Sequence, residues 1–385
     1  MENYKHTMNR LTVKIKVLLS AVIITAMTAC TEEKTPVRNG ELWYDDAGEI
    51  INAHGGGILT CDDTYYWFGE AKNDSNSLAL QGVSCYSSRD LHTWHNEGIA
   101  LAVSGDPQSD IASGCILERP KVIYNAKTGK FVMFFHLELR GQGYAAARTG
   151  IAVSDTPAGP YTFIRSLRPN ANLLPENLNL ILDSEEWLRT ASDLQPWSEQ
   201  WVAAVKDGMF TYRDLRSGQM SRDMTLYVDT DGRAYHIYSS EENLTLQIAC
   251  LTDDYTDYTG RYIRVAPAGH NEAPALFRHN GKYYMITSGC TGWNPNAARL
   301  LVADSVMGEW TMLGNPCRGA DAELTYHSQS TFILPVADKK GGERFVFMAD
   351  RWKPEQHTHS TYVWLPIRFD AAGTPYLEWQ DNRQE

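Results

Sequence analysis

The fold class that this 385-residue chain predicts is all-β, a five-bladed β-propeller. A strand–turn–strand unit with a polar residue at its mouth returns five times, and no long helical periodicity separates the copies. The clearest copy runs from His270-Asn271-Glu272 through Ala273-Pro274-Ala275-Leu276-Phe277, turns at Asn280-Gly281, and continues into the apolar Tyr283-Tyr284-Met285-Ile286. Asn-Gly between two apolar runs is a hairpin signal, because both residues tolerate the positive φ of a two-residue turn.

The other copies open at His54, Glu118, Asp223 and Gln329, so the leading residues stand 64, 105, 49 and 57 positions apart. Their second strands are Tyr65–Phe68, Phe131–Phe134, Tyr235–Tyr238 and Phe345–Met348. A further strand then ends in an acidic or glycine turn, as at Ser88-Arg89-Asp90-Leu91 before Trp94 and Ala303-Asp304-Ser305 before Trp310. In a propeller the innermost strand of each blade faces the axis. The first residues His54, Glu118, Asp223, Glu272 and Gln329 are therefore expected to converge at one mouth.

Residues 1–29 carry Lys5, Arg10, Lys14 and Lys16, a short apolar run from Val17 to Ile24, and the small residues before Cys30. That order predicts an export signal rather than a membrane span. Met27-Thr28-Ala29-Cys30 resembles a bacterial lipobox, implying cleavage before Cys30 and lipid attachment to its thiol. Residues 30–40 read as a polar tether whose acids resemble the surface-export tags of Bacteroidetes lipoproteins, and 41–385 as the catalytic propeller. The expected location is extracytoplasmic, periplasmic or cell-surface, held to the membrane by lipid alone.

The formal net charge is −12. Loss of the basic leader makes the mature chain more acidic still, which excludes partners that present a phosphate backbone. A neutral substrate suits it, and the 11 Trp and 20 Tyr fit packed blades or sugar-stacking surfaces. Six cysteines remain beyond Cys30, and their spacing matches no metal or redox motif. The long spacing between Glu118 and Asp223 places an insertion at about 165–220, with Trp187, Trp197 and Trp201 among polar residues. Strands at Tyr362–Ile367 and Tyr376–Trp379 complete the last blade, with Trp43-Tyr44 assisting closure.

Glu118, Asp223 and Glu272 at one mouth would repel one another, so at least one should hold a proton near neutrality. Glycoside hydrolysis needs such an acid on the leaving oxygen. With inversion it also needs a base that activates water, roughly 6.5–9.5 Å away. The plainer alternative is that these residues cap strand ends with ion pairs, such as Glu118 with Arg119 or Arg351.

Ser88-Arg89-Asp90-Leu91 with Trp94, Asp223 ahead of Asp229–Tyr235, and Glu272-Ala273-Pro274 resemble glycoside hydrolase family 43. Ala53-His54-Gly55-Gly56-Gly57, Glu118-Arg119-Pro120-Lys121-Val122, His270–Pro274 and His327-Ser328-Gln329-Ser330-Thr331 resemble its exo-β-1,3-galactanase branch. The resemblance covers about residues 41–380. It implies inversion, with Glu272 as general acid and Asp223 tuning and orienting it. Most of the family has an Asp base on the first blade, where this chain offers only His54 and glycines. The branch pattern instead puts Gln329 where a base acts, as an imidic tautomer, while Glu118 binds sugar hydroxyls or shares the task. A neutral amide is a poor base, so Glu118 is the more natural candidate on chemistry alone.

The resemblance further implies sugar contacts from His54, Glu70, Arg119, Tyr144, Asn243, Thr291, Gly292 and Trp293, and from Arg351 and Trp352. No cofactor is expected to be required. Family propellers often hold a central calcium or similar ion, but the sequence contains no acidic loop of ligand type. The expected protein is a monomeric exo-glycosidase releasing galactose from β-1,3-galactan. An α-L-arabinofuranosidase, a β-galactofuranosidase and a non-catalytic glycan-binding propeller are the alternatives.

Overall fold

The structure, a computed structural model, describes residues 37–337 and 342–383. The export signal at 1–29, the lipidation residue Cys30 and most of the tether lie outside the described residues.

The first sheet comprises β1 (His54–Cys61), β2 (Thr64–Glu70), β3 (Gly82–Ser88) and β4 (His95–Ala102). The second comprises β5 (Ile116–Asn125), β6 (Lys130–Glu138), β7 (Arg148–Ser154) and β8 (Thr162–Leu167). Three helices then interrupt the repeat: α1 (Ser184–Ser192), α2 (Glu199–Lys206) and α3 (Met209–Arg213). The third sheet comprises β9 (Met224–Val228), β10 (Ala234–Ser240), β11 (Thr245–Leu251) and β12 (Tyr258–Val265). The fourth comprises β13 (Glu272–His279), β14 (Lys282–Ser288), β15 (Arg299–Ala303) and β16 (Thr311–Gly314). After β17 (Cys317–Arg318), the fifth sheet is formed by β18 (Gln329–Ala337), β19 (Glu343–Arg351) and β20 (Thr361–Pro366). The chain ends with β21 (Arg368–Phe369) and β22 (Pro375–Glu378).

The prediction of five blades is corrected here. Among the described residues there are six sheets and the propeller is six-bladed, the sixth sheet running β17–β22–β21. Two of its strands have two residues and the third has four, and β17 pairs with β22 in parallel. The two-residue strands carry no readable alternation, and the strand expected at Tyr376–Trp379 to complete the last blade pairs instead with β17 and β21 in this sheet.

β1, β5, β9, β13 and β18 pack side by side around the axis. Their apolar faces form wedge-shaped cores between neighbouring sheets, for example Val132, Phe134 and Ile151 against Leu226, Tyr238 and Tyr262. The hairpin predicted at Asn280-Gly281 is present: His279 pairs with Lys282, and the two turn residues have φ of 50° and 79°. Closure rests on an aromatic cluster in which Trp43 and Trp67 pack edge-on against Trp364 at 5.1 and 5.0 Å between ring centroids. Asn39 reinforces it, accepting from the Trp364 amide at 2.7 Å and donating to its carbonyl at 3.1 Å. Residues 37–40 thus belong to the packed fold rather than to a tether, which corrects that boundary. Trp43 closes the ring as expected, whereas Tyr44 is exposed.

The insertion spans the segment between β8 and β9, and its Ala191, Trp201, Ala204, Val205 and Met209 form a small core with Leu244 of the turn between β10 and β11. Among the described residues no helix is long and apolar enough to cross a membrane.

Candidate active site

The inner strands begin with irregularities that aim the site residues. Pairing slips between His54 and Gly57, between Glu118 and Lys121, and between Glu272 and Ala275. Each slip contains a left-handed residue, Gly55 (φ 61°), Arg119 (φ 56°) and Ala273 (φ 51°). Such bulges bend the strand and re-aim a side chain beside a functional site. For Arg119 and Ala273 that backbone is strained, and local bonds hold it. The Arg119 amide donates to Glu70 Oε1 at 3.0 Å, and the Ala273 amide to Asp223 Oδ2 at 3.2 Å.

The result is a cavity of about 330 Å³ lined by Glu70, Lys72, Ser77, Glu118, Arg119, His136, Tyr144, Arg222, Asp223, Asn243, Glu272, Gly292, Trp293, Gln329 and Trp352. A larger hollow of about 720 Å³ opens around the other ends of the same inner strands, between residues such as Ile58, Val122, Leu226, Leu276 and Ile333. Among the described residues it is mostly apolar and contains no carboxylate cluster, so the chemistry is assigned to the smaller cavity.

Glu272 accepts from Asn243 Nδ2 at 2.7 Å. Burial and the negative charge of Asp223 push its carboxyl up to about 7, leaving it able to carry a proton at neutral pH. Asp223 pairs beside it with Arg119, whose Nη2 lies 2.9 Å from Oδ2. The same nitrogen donates to Gln329 Oε1 at 2.6 Å, and Nη1 donates to the Ser330 carbonyl at 3.0 Å. Trp352 Nε1 also donates to Gln329 Oε1, at 2.9 Å, while Gln329 Nε2 donates to Ser288 Oγ at 3.0 Å. Two donors, one of them cationic, therefore occupy the amide oxygen, and these contacts fix which end of the amide is oxygen.

Glu118 has a different environment. Burial opposes its charge, but His136, Lys72 and Tyr144 outweigh burial and hold the carboxyl down at about 2. Tyr144 donates to Oε1 at 2.9 Å, and His136 Nδ1 lies 3.2 Å from Oε2. The other nitrogen of His136 lies 2.9 Å from Glu138 Oε1. Burial works against charge on this imidazole too, yet its two carboxylate partners lift its pKa to about 9. Lys72 pairs with Glu70 and lies 5.5 Å from the Trp352 ring centroid. Trp293 packs edge-on against Trp352 at 5.4 Å and is partly exposed.

Of the residues expected in the site, three stand elsewhere. His54 is wholly buried and stacked on Tyr362 at 5.0 Å, behind the cavity wall. Arg351 turns away from its neighbour Trp352, because strand alternation sends it to the Tyr326 carbonyl (2.9 Å) and the Trp379 ring. Thr291 bonds to the Asn294 carbonyl and Asn296 in a neighbouring depression. His54 and Arg351 are thus corrected from sugar contacts to structural positions, and Thr291 to a loop-bracing one.

Lys72, Ser77, His136 and Arg222 were not anticipated. His136 had a readable signal: His136 and Glu138 sit two apart in the otherwise apolar β6, hence on one face, and His136 pairs directly with Glu118. Lys121 was also missed in this role. Its Nζ donates to the Gly55 carbonyl at 2.9 Å and the Arg119 carbonyl at 3.3 Å, tying two of the bulges together on the axis beneath the cavity.

Among the described residues, Glu118, His136 and Asp223 have ligand atoms within 4.8 Å of one another. This donor set does not suit a calcium ion. An imidazole with both nitrogens directed at carboxylates and protonated up to about pH 9 has no lone pair to give, and Asp223 is neutralised by Arg119.

The model of the glycosyl hydrolases family 43 matches residues 187–375. A solved GH43 β-1,3-galactosidase with galactodeoxynojirimycin is 56% identical, aligns over 91% of this chain and 100% of its own, and superposes with a TM-score of 0.86. An exo-β-1,3-galactanase from Clostridium thermocellum is 37% identical over 89% of this chain and 64% of its own, with a TM-score of 0.71. An exo-β-1,3-galactanase from Phanerochaete chrysosporium, solved with β-1,3-galactotriose, is 31% identical over 89% of this chain and 66% of its own, with a TM-score of 0.70. A search of curated proteins finds no match. The identity and coverage of the galactosidase, together with the family match, establish that the chain belongs to glycosyl hydrolases family 43.

Proposed function

We propose that this protein is an inverting exo-glycosidase that releases galactose from the end of β-1,3-galactan chains. The observation that carries the reading is Glu272, a carboxyl raised to about 7 beside the arginine-paired carboxylate of Asp223, in a cavity whose relatives act on β-1,3-linked galactose. In the reaction, water attacks the anomeric carbon as the glycosidic bond breaks. The proton of Glu272 goes to the leaving oxygen, and a proton from the water goes to a base on the opposite face of the sugar.

Gln329 is the water-positioning group and base in this reading. The guanidinium and indole donors hold the amide in place, and it serves as base in its imidic tautomer: one Nε2 hydrogen moves to Oε1, the freed Nε2 lone pair takes the proton of the attacking water, and loss of the Oε1 proton to solvent restores the amide. Glu118, held ionised by His136 and Tyr144, is too weak a base at about 2 to be favoured and is better suited to gripping sugar hydroxyls. Trp293 and Trp352 provide the stacking wall, and Glu70, Lys72 and Asn243 the polar contacts. No metal is assigned a role.

A panel of β-1,3-galactobiose, aryl α-L-arabinofuranoside and aryl β-galactofuranoside tests the substrate. Galactose from the first alone is the expected result. Turnover of a furanoside in preference would transfer the assignment to it, and binding without turnover would make the protein a lectin-like propeller.

The sequence Met27-Thr28-Ala29-Cys30 supports export with a lipid anchor on Cys30. Replacing Cys30 by Ser is expected to move the protein from the membrane fraction to the soluble one; an unchanged distribution would remove the anchor.

A further inference from the structure

The insertion carries an aromatic surface that the cavity does not use. Trp197 is 59% exposed, yet its indole is held in place, with ring centroids 5.0 Å from Trp201 and 4.9 Å from His270. It precedes Ser198, the N-cap of α2, whose side chain accepts from the Trp201 amide at 3.1 Å. Trp201 itself is buried in the insertion's core.

The other end of α2 is clamped to the third sheet. Arg264 donates to the carbonyls of Val205 and Lys206 at 2.7 Å each, and its Nε and Nη2 each bond a Glu241 oxygen at 2.7 Å. Glu241 begins a run of three left-handed residues, Glu241, Glu242 and Asn243, with φ of 53°, 58° and 62°. The last of them donates to Glu272. His270, at the edge of the Trp197 ring, lies two residues before Glu272 and donates its amide to the Leu244 carbonyl. One turn therefore supports both the proton donor and the exposed indole.

A proton donor in a glycosidase stands on the leaving-group side of the scissile bond. His270 lines a neighbouring depression with Cys290 and Thr291, the latter next in sequence to Gly292 of the cavity; on the donor's side of the site, that depression faces the sugars left behind, not the galactose being released. We propose that Trp197, with His270 at its edge, is a stacking platform for a galactose residue of the β-1,3-linked chain on the leaving-group side, making the insertion a determinant of chain-length preference. An exposed indole presents a flat apolar face, and the C–H face of a galactose ring covers such a face while its hydroxyls stay in water. The assignment rests on the reading of Glu272 as the acid.

The test compares kcat/KM for an aryl β-galactoside, β-1,3-galactobiose and longer β-1,3-galactan oligomers in the unaltered protein, Trp197→Ala and Trp197→Phe. The expected result for Trp197→Ala is a roughly tenfold fall in the ratio of oligomer to aryl-galactoside efficiency, seated in KM, with substantial recovery in Trp197→Phe. An equal loss on all substrates would show that Trp197 only supports the insertion, and no loss on any would show that no chain passes over it; either overturns the proposal. Failure of the unaltered protein to cleave any galactoside would refute the substrate reading and the platform with it, and is seen before any variant is compared.

Discussion

Glu272→Gln is expected to lower kcat on β-1,3-galactobiose by about 10²–10⁴-fold, the usual size of a general-acid contribution. The substitution keeps the shape and the Asn243 contact but removes the transferable proton. A substrate whose leaving group departs without protonation should lose far less, because the missing step is not needed there. Equal losses on good and poor leaving groups would assign Glu272 to binding. The pH profile follows from the same carboxyl. Its pKa is raised to about 7, so the proton donor is present below that value and lost as pH rises through it. Activity should decline on the alkaline side with a midpoint near the raised value. Glu118, held at about 2, remains ionised throughout and should add no acid limb between about pH 4 and 6.

Gln329→Ala is expected to cost a comparable factor, roughly 10²–10³ in kcat, and to be the variant rescued by a small anion. Azide needs no deprotonation, so it can attack where water no longer can and should give a glycosyl azide of inverted configuration. Glu118→Gln should instead raise KM, because the neutral amide loses the ion pair with His136 and one of the two acceptor oxygens that face the sugar. Azide rescue of Glu118→Gln and not of Gln329→Ala would reverse the two roles.

Much of this arrangement is legible in the sequence because the inner strands begin with the functional residues. Glu118, Asp223, Glu272 and Gln329 each lead an apolar strand, and side chains at that end of a propeller have only the axis to face. The same logic misplaced His54, which also leads a strand. Gly55 and the following bulge turn its ring back against Tyr362, a consequence of φ and not of residue type. Arg351 was misplaced by ignoring alternation, since neighbours in a strand face opposite ways. His136 and Lys72 were missed because each is the buried partner of a carboxylate: His136 stands opposite Glu118 on neighbouring strands of one sheet, and Lys72 folds back on Glu70 just after the end of β2. The sixth sheet was missed because β17 and β21 have two residues each, too few to show a period, and the strand foreseen at Tyr376–Trp379 was assigned to the fifth blade.

The mechanism is tested most directly by the stereochemistry of cleavage of β-1,3-galactotriose, followed by proton NMR from the first turnover. It predicts one galactose released at a time from the chain end, appearing first as the α-anomer and only then mutarotating. Galactose appearing first as the β-anomer would require a covalent intermediate that Glu272 and Gln329 cannot support, and would contradict the mechanism outright.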